Sequence, residues 1–165
     1  MFTVGILTIS DKGSTGERQD KSGEAIREVL SGMDVSIAHY DMIPDEKDLI
    51  VEKLVEWADK GNLDVIVTTG GTGLTPRDVT PEATLAVVDR IVPGFAEAMR
   101  AESLKKTPHA MLSRAVVGTR GKCLIINLPG SPKAVRECLQ VILPALPHAV
   151  ETLKDQAGEC GVAEA

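Results

Sequence analysis

The sequence has no excess of basic residues: 18 Lys and Arg stand against 24 Asp and Glu, a formal charge of −6. Nucleic-acid-binding chains show a basic face, so that class is set aside. Any anionic ligand must be held by local donors and cations, because the overall field repels it. Cysteine is scarce. Cys123, Cys138 and Cys160 form an odd set with no CxxC spacing, which argues against a disulfide framework or a structural zinc site and fits a reducing compartment. His39, His109 and His148 are isolated from one another, so no transition-metal cluster is expected. No apolar run approaches membrane-spanning length, and the first residues lack the cationic opening of a secretory leader. The expected compartment is the cytoplasm.

Repeats, linkers and charge blocks are also lacking. A chain of 165 residues, 43% hydrophobic and 25% charged, reads as one globular domain over residues 1–155. Residues 156–165, small and polar, read as a frayed tail that contains Cys160, to which no role is assigned.

What is present alternates between strand and helix patterns. Phe2 to Ser10 is apolar and β-branched, a first buried strand. Asp20 can cap a helix with Ala25, Ile26, Val29 and Leu30 on one face. Val35 to Ile43 is a second strand candidate, followed by a helix presenting Ile50, Leu54, Trp57 and Ala58. Val65 to Val67 is a third strand, and the next helix starts at Thr80 and turns Leu85 and Val88 inward. Pro93-Gly94-Phe95 breaks and restarts it, with Ala96 and Met99 continuing an apolar face to about residue 105. Ala115–Gly118 and Cys123–Leu128 flank a short Gly-containing turn, a hairpin signal. The last helix runs from Ser131 to about Lys154, with Pro144 and Pro147 kinking or splitting it. This order predicts a three-layer α/β/α fold: a mostly parallel sheet covered on both faces, plus an antiparallel hairpin strand.

The unusual chemistry is concentrated between residues 68 and 84, Thr-Thr-Gly-Gly-Thr-Gly-Leu-Thr-Pro-Arg-Asp-Val-Thr-Pro-Glu-Ala-Thr. Gly70, Gly71 and Gly73 remove side chains directly after a strand, so a ligand can lie against bare N–H groups. Thr80-Pro81 reads as a helix start with the Thr hydroxyl as N-cap. Helix starts offer unpaired donors to anions. Neither common nucleotide motif is present: no Lys follows Gly73 as a P-loop needs, and Pro76 stands where a dinucleotide fingerprint has its third Gly. A tight strand-to-helix turn remains the plainer alternative. Asp78 lies two residues before the expected cap, and an acid beside an anion site suggests a bridging Mg²⁺ or a positioned donor.

Asn127-Leu128-Pro129-Gly130-Ser131-Pro132 repeats the arrangement of strand, glycine, cap and proline. If the two strands are neighbours, both helix starts point into one crevice. Ligands in such folds bind beyond the C-terminal strand ends, where Ser10, Asp11, Asp45, Gly70 to Asp78 and Asn127 to Ser131 all fall. Asp45 has two readings, an N-cap or a functional carboxylate, and both can hold. The polar segment between Ser10 and Asp20 is either a ligand loop or merely solvated.

The stretch Gly-Gly-Thr-Gly-Leu-Thr-Pro-Arg-Asp-Val-Thr-Pro-Glu-Ala-Thr resembles the signature of the MogA/MoaB family of molybdenum-cofactor biosynthesis proteins, especially the branch with the gephyrin G domain. Ser10-Asp11, Asp20-Lys21-Ser22-Gly23, the acid at Ile-Pro-Asp45 and Ala110-Met111-Leu112-Ser113-Arg114 also fit that pattern. The resemblance spans roughly residues 3 to 155. It implies a molybdopterin adenylyltransferase that joins molybdopterin to ATP and releases pyrophosphate. Asp45 and Asp78 would be its catalytic carboxylates, with Asp78 on Mg²⁺. Ser10, Asp11, Gly70, Gly71, Thr72, Gly73, Thr80, Ser113, Arg114, Asn127, Pro129, Gly130 and Ser131 would contact the substrates. It further implies a homotrimer and a downstream molybdenum insertase as partner. The alternative is a MoaB-like carrier that binds molybdopterin without turnover.

Overall fold

The computed structural model describes residues 1–155. The expected tail, with Cys160, lies outside the described residues.

Among the described residues six strands form one sheet in the order β2-β1-β3-β6-β5-β4. β1 (Phe2–Ile9), β3 (Val65–Thr69) and β6 (Cys123–Leu128) sit at its centre. Their near-continuous apolar runs suit a sheet buried on both faces. β1 pairs in parallel with β2 (Val35–Ile43) on one side and β3 on the other, and β3 pairs in parallel with β6. β6 turns back antiparallel onto β5 (Val117–Arg120), as the hairpin signal predicts. The strand begins two residues later than expected, and Arg120 pairs with Cys123 around a two-residue turn in which Gly121 has φ 55°. A two-residue strand, β4 (Arg90–Ile91), completes that edge and carries too little pattern to be read from sequence.

Helices cover both faces. On one lie α2 (Lys21–Leu30), α5 (Pro93–Leu104), α6 (Pro132–Ile142) and α7 (Leu146–Leu153), packed on Val4, Ile6, Val65, Val67, Leu124 and Ile126. On the other lie α3 (Lys47–Asp59) and α4 (Thr80–Val87), packed on Leu7, Ile66 and Ile125. The last helix is split as its prolines require: a 3₁₀ turn over Leu143–Ala145 separates α6 from α7. A single turn, α1 (Asp11–Ser14), follows β1.

Two local expectations are corrected. Leu85 does not face the core; it is 47% exposed, and Ala83, Thr84 and Val87 take the inward positions. The eight-residue helix ends too soon for the expected stripe to hold. Thr80 is not the N-cap of α4: Val79 precedes the helix and makes no side-chain cap bond.

The chain passes from β1 to β2 on one side, then returns to β3 on the other side of β1. That places a topological switch point between β1 and β3, where parallel α/β sheets open a crevice beyond the strand ends.

Candidate active site

The crevice is a cleft of ≈ 890 Å³ over the ends of β1, β3 and β6, near the upper end of ordinary ligand pockets. Ser10, Asp45, Gly70, Gly71, Asp78, Gly130 and Ser131 all line it, so the main strand-end loops meet in one place.

The glycine loop is held from below. Gly70 N–H donates to Leu128 O (3.2 Å), and Thr69 Oγ1 donates to Pro129 O (2.7 Å), which ties the two loops together. Gly70 and Gly71 have φ of 98° and 67°, and a Cβ at Gly70 would collide with the Ile9 carbonyl. These two positions accept only glycine without strain. The amides of Gly71, Thr72 and Gly73 find no acceptor among the described residues. Partly buried N–H groups left open in this way await a ligand or water. The amide of Gly70 is committed to Leu128 and is not part of that cradle.

Thr80 sits beneath the loop, fully buried. Its hydroxyl donates to Gly70 O (2.9 Å) and its N–H to Gly71 O (3.1 Å). The start of α4 therefore braces the loop from the far face of the sheet. Among the described residues the helix starts that do reach the cleft are those of α6, α2 and the single turn α1, whose N-cap Ser10 lines it. Ser131 caps α6, accepting from Ala134 N–H, as its sequence predicts. Asp20 caps α2, accepting from Gly23 N–H (2.9 Å), and also receives the hydroxyls of Thr8 (2.7 Å) and Tyr40. Arg18 and Lys21 of the same segment line the cleft and have no ion-pair partner among the described residues. This segment matched the family pattern, yet a capping Asp followed by polar residues is also what any solvated loop shows.

Asp45 does not cap α3; Glu46 occupies that position without a side-chain bond. Its carboxylate is turned to the cleft instead, where Oδ2 accepts from Asp11 N–H (2.9 Å). Burial pushes the Asp45 carboxyl above the usual carboxylate range; the Asp11 N–H opposes that shift, and the charges of Asp11 and Asp78 add to it. Asp78 Oδ2 accepts from the N–H (2.9 Å) and hydroxyl (2.8 Å) of Thr75. Asp45 and Asp78 each retain one oxygen, Oδ1, with no donor among the described residues. Among the described residues no three Asp, Glu, His or Cys side chains converge as a closed metal cage. Two carboxylates with free oxygens beside an anion cradle fit a hard divalent cation that takes its remaining ligands from phosphate and water.

The other expected site residues lie around the cleft. The Asp11 carboxylate is taken by Arg77, which holds it below the usual carboxylate range. Arg114 folds over the glycine loop: Nε donates to Gly73 O (2.7 Å), Nη2 to Asp78 O (2.7 Å), and Nη1 contacts Glu82. Its backbone N–H donates to Thr72 O (3.0 Å). Asn127 is wholly buried, linking Thr68 and Thr84 hydroxyls through Nδ2 (3.1 and 2.9 Å) and Val116 N–H through Oδ1 (3.2 Å). Ser113 and Pro129 line a second, apolar cavity of ≈ 210 Å³, together with Met99, His109 and Cys138. The Pro129-Gly130-Ser131 turn is its partition from the cleft: Pro129 faces the cavity, Gly130 and Ser131 the cleft. Arg77 falls within the loop expected at the site but receives no role from the sequence, because one arginine in a loop carries no signal of its partners.

An open, doubly wound sheet with a glycine-walled polar cleft at its switch point defines an α/β protein with its cleft where such sheets bind ligands. The chain belongs to the family described as the probable molybdopterin binding domain, whose model matches residues 5–148. It is 49% identical over 152 residues to a molybdopterin adenylyltransferase of Helicobacter pylori, covering 91% of this chain and 86% of that one. It is 46% identical over 159 residues to gephyrin of Dictyostelium discoideum, covering 90% of this chain and 22% of that protein. Its fold matches the molybdopterin biosynthesis enzyme MoaB of Thermus thermophilus with a TM-score of 0.90 at 57% identity, covering 94% of this chain and 98% of the other.

Proposed function

We propose that this chain is a molybdopterin adenylyltransferase. An oxygen of the pterin's terminal phosphate attacks the α-phosphorus of ATP. The bond from that phosphorus to the bridging oxygen breaks, and its electron pair leaves on pyrophosphate. A phosphate nucleophile is already ionised at neutral pH, so the protein needs no strong base. The work left to it is alignment and charge stabilisation. The reading is carried by one observation: two carboxylates from different loops, Asp45 and Asp78, open with free oxygens onto a cleft beside unpaired loop amides.

The residues divide by position. The amide of Gly71, which lines the cleft, and the α6 start at Ser131 hold phosphate oxygens, with the open amides of Thr72 and Gly73 next to it in the loop. Arg18 and Lys21 face the polyphosphate from the far wall. Ser113 and Pro129 receive the pterin in the apolar cavity beyond the Pro129-Gly130-Ser131 partition. Thr80, Arg114 and Asn127 act from beneath, by fixing the loops that touch substrate. Asp45 and Asp78 would hold a magnesium ion, which when bound supplies charge neutralisation on the phosphates.

The chain works as a homotrimer in the cytoplasm and hands its product to a molybdenum insertase. Leu74, Leu85, Met111 and Leu112 are exposed apolar side chains; sedimentation measures the mass and tests the trimer. No helix among the described residues is long and apolar enough to cross a membrane.

The test is pyrophosphate release from ATP and molybdopterin by the purified chain in Mg²⁺. Release of one pyrophosphate per pterin consumed, lost in Asp78→Asn, supports adenylyl transfer. Pterin binding by calorimetry without ATP consumption would mean a carrier.

A further inference from the structure

We propose that Arg77 is a positioning residue that sets the orientation of Asp45 through Asp11; its bearing on turnover rests on the adenylyl-transfer reading of the cleft. Arg77 does not line the cleft. Its guanidinium reaches across two other loops. Nε donates to Asp11 Oδ2 (3.0 Å) and Nη2 to Asp11 Oδ1 (2.8 Å), a two-pronged grip on one carboxylate. Nη2 also donates to Glu46 Oε1 (2.9 Å). The loops that follow β1, β2 and β3 are thus joined at a single side chain.

The contact continues to the candidate catalytic group. Asp11 Oδ1, which Arg77 holds, also accepts the N–H of Asp45 (3.0 Å). Asp11 N–H returns a bond to Asp45 Oδ2 (2.9 Å). A fork on a carboxylate fixes its plane as well as its place, so Asp11 cannot turn away from Asp45 while Arg77 grips it. Arg77 directly precedes Asp78 in the chain. The guanidinium therefore ties the loop bearing Asp78 to the loop bearing Asp45 and sets the spacing of the two carboxylates. Without it, Asp11, Asp45 and Glu46 face one another with that counter-charge gone.

Stability alone is a poor account of these contacts. Arg77 and Asp11 are half-exposed (52% and 44%), and exposed ion pairs contribute little to folding. Misplacing a reacting group by about an ångström, by contrast, can lower turnover by about two orders of magnitude.

The experiment compares R77A, R77K, D11N and the R77A/D11N double variant with wild type. Kinetics of pyrophosphate release are measured with ATP, Mg²⁺ and molybdopterin, and exchange of the Asp11 and Asp45 amides by NMR. The expected result is a fall in kcat of about tenfold or more in R77A, with KM for ATP within about threefold. R77K recovers part of it, and the double variant is no slower than the slower single, as expected of residues acting in series. In R77A the Asp11 and Asp45 amides exchange faster while the strand amides do not. R77A turnover within about twofold of wild type, or unchanged exchange at both amides, overturns the proposal. Should R77A fail to fold, D11N carries both readouts. If wild type releases no pyrophosphate, the adenylyl-transfer reading falls, and the amide exchange alone still decides whether Arg77 orients Asp45.

Discussion

Asp11 and Asp45, 34 positions apart, exchange hydrogen bonds between main chain and carboxylate in both directions, at 2.9 and 3.0 Å. Each stands at the head of a loop leaving a parallel strand, so the pair locks two strand ends together. The arrangement treats the acids unequally. Asp11 is compensated by Arg77 and ionises more readily than an ordinary carboxyl. Asp45 is half-buried beside other carboxylates and ionises less readily. The fold thus keeps one acid as a tether and holds the other under electrostatic tension.

Asp45→Asn should therefore stabilise the protein while disabling it. A carboxyl whose folded pKa is raised favours folding in its protonated form. Its penalty appears as pH climbs past the unfolded value of 3.8 and is complete above the folded one. Asparagine keeps an oxygen for the Asp11 N–H and never ionises. The melting temperature of the variant should exceed that of wild type at pH 7 and match it at about pH 3. Pyrophosphate release should fall by about a hundredfold. Scanning calorimetry at both pH values, with activity at pH 7, checks the pair of outcomes; a less stable variant at neutral pH would contradict the electrostatic account.

Gly71→Ala tests the glycine cradle. Its φ of 67° disfavours any side chain, and a Cβ would collide with the Thr80 hydroxyl that bonds Gly70 O. The expected loss is about 1–3 kcal/mol in urea unfolding, with weaker binding of ATP. Gly121→Ala is the control: it also has positive φ (55°), but nothing lies within 4 Å of its Cβ position and it is remote from the cleft. It should lose some stability and leave ATP affinity unchanged.

The sheet was legible because β1, β3 and β6 are buried on both faces and read as unbroken apolar runs, and because Ser131-Pro132 signals a helix start by its own chemistry. The meeting of the loops was legible from the rule that ligands gather beyond parallel strand ends. The partners of polar side chains were not. Thr80 and Asp45 both look like caps in one dimension, since a Thr or Asp before a helix usually is one. Their burial under neighbouring loops gives them other partners. One helix start that joins α6 at the cleft was also misassigned, to α4 instead of α2. Which face a crossover helix takes depends on strand order, and the sequence does not state that order. Arg77 and Asp11 are 66 positions apart, and no local pattern couples them.

Arg18 and Lys21 supply cations to a cleft in a protein whose overall charge repels its substrates. Lys21→Ala and Arg18→Ala should each raise KM for ATP by about three- to tenfold with smaller changes in kcat, because an exposed cation steers and binds an anion more than it selects the transition state. Rising salt should shrink the difference from wild type. Initial rates across ATP concentrations at two ionic strengths decide it, and unchanged KM at low salt would remove these residues from the polyphosphate path.

Asn127→Ala separates a residue that supports the loops from one that touches substrate. The carboxamide is at 0% exposure, and its removal strands the buried Thr84 hydroxyl and the half-buried Val116 N–H, while the Thr68 hydroxyl keeps its bond to Ile126 O. Buried groups left without partners cost about 1–3 kcal/mol each, and some relaxation is expected, so a total near 2–4 kcal/mol should appear in denaturant unfolding. Thr68 and Asn127 are register partners in β3 and β6, so the change should loosen both strand ends that carry the cleft. Asn127→Asp keeps the oxygen for Val116 N–H but replaces the donor with a buried charge, and it should be no more stable than the alanine variant at neutral pH. If Asn127 instead bound substrate directly, Asn127→Ala would unfold like wild type and lose only affinity for the pterin. Urea titration and calorimetry on the same preparation distinguish the two.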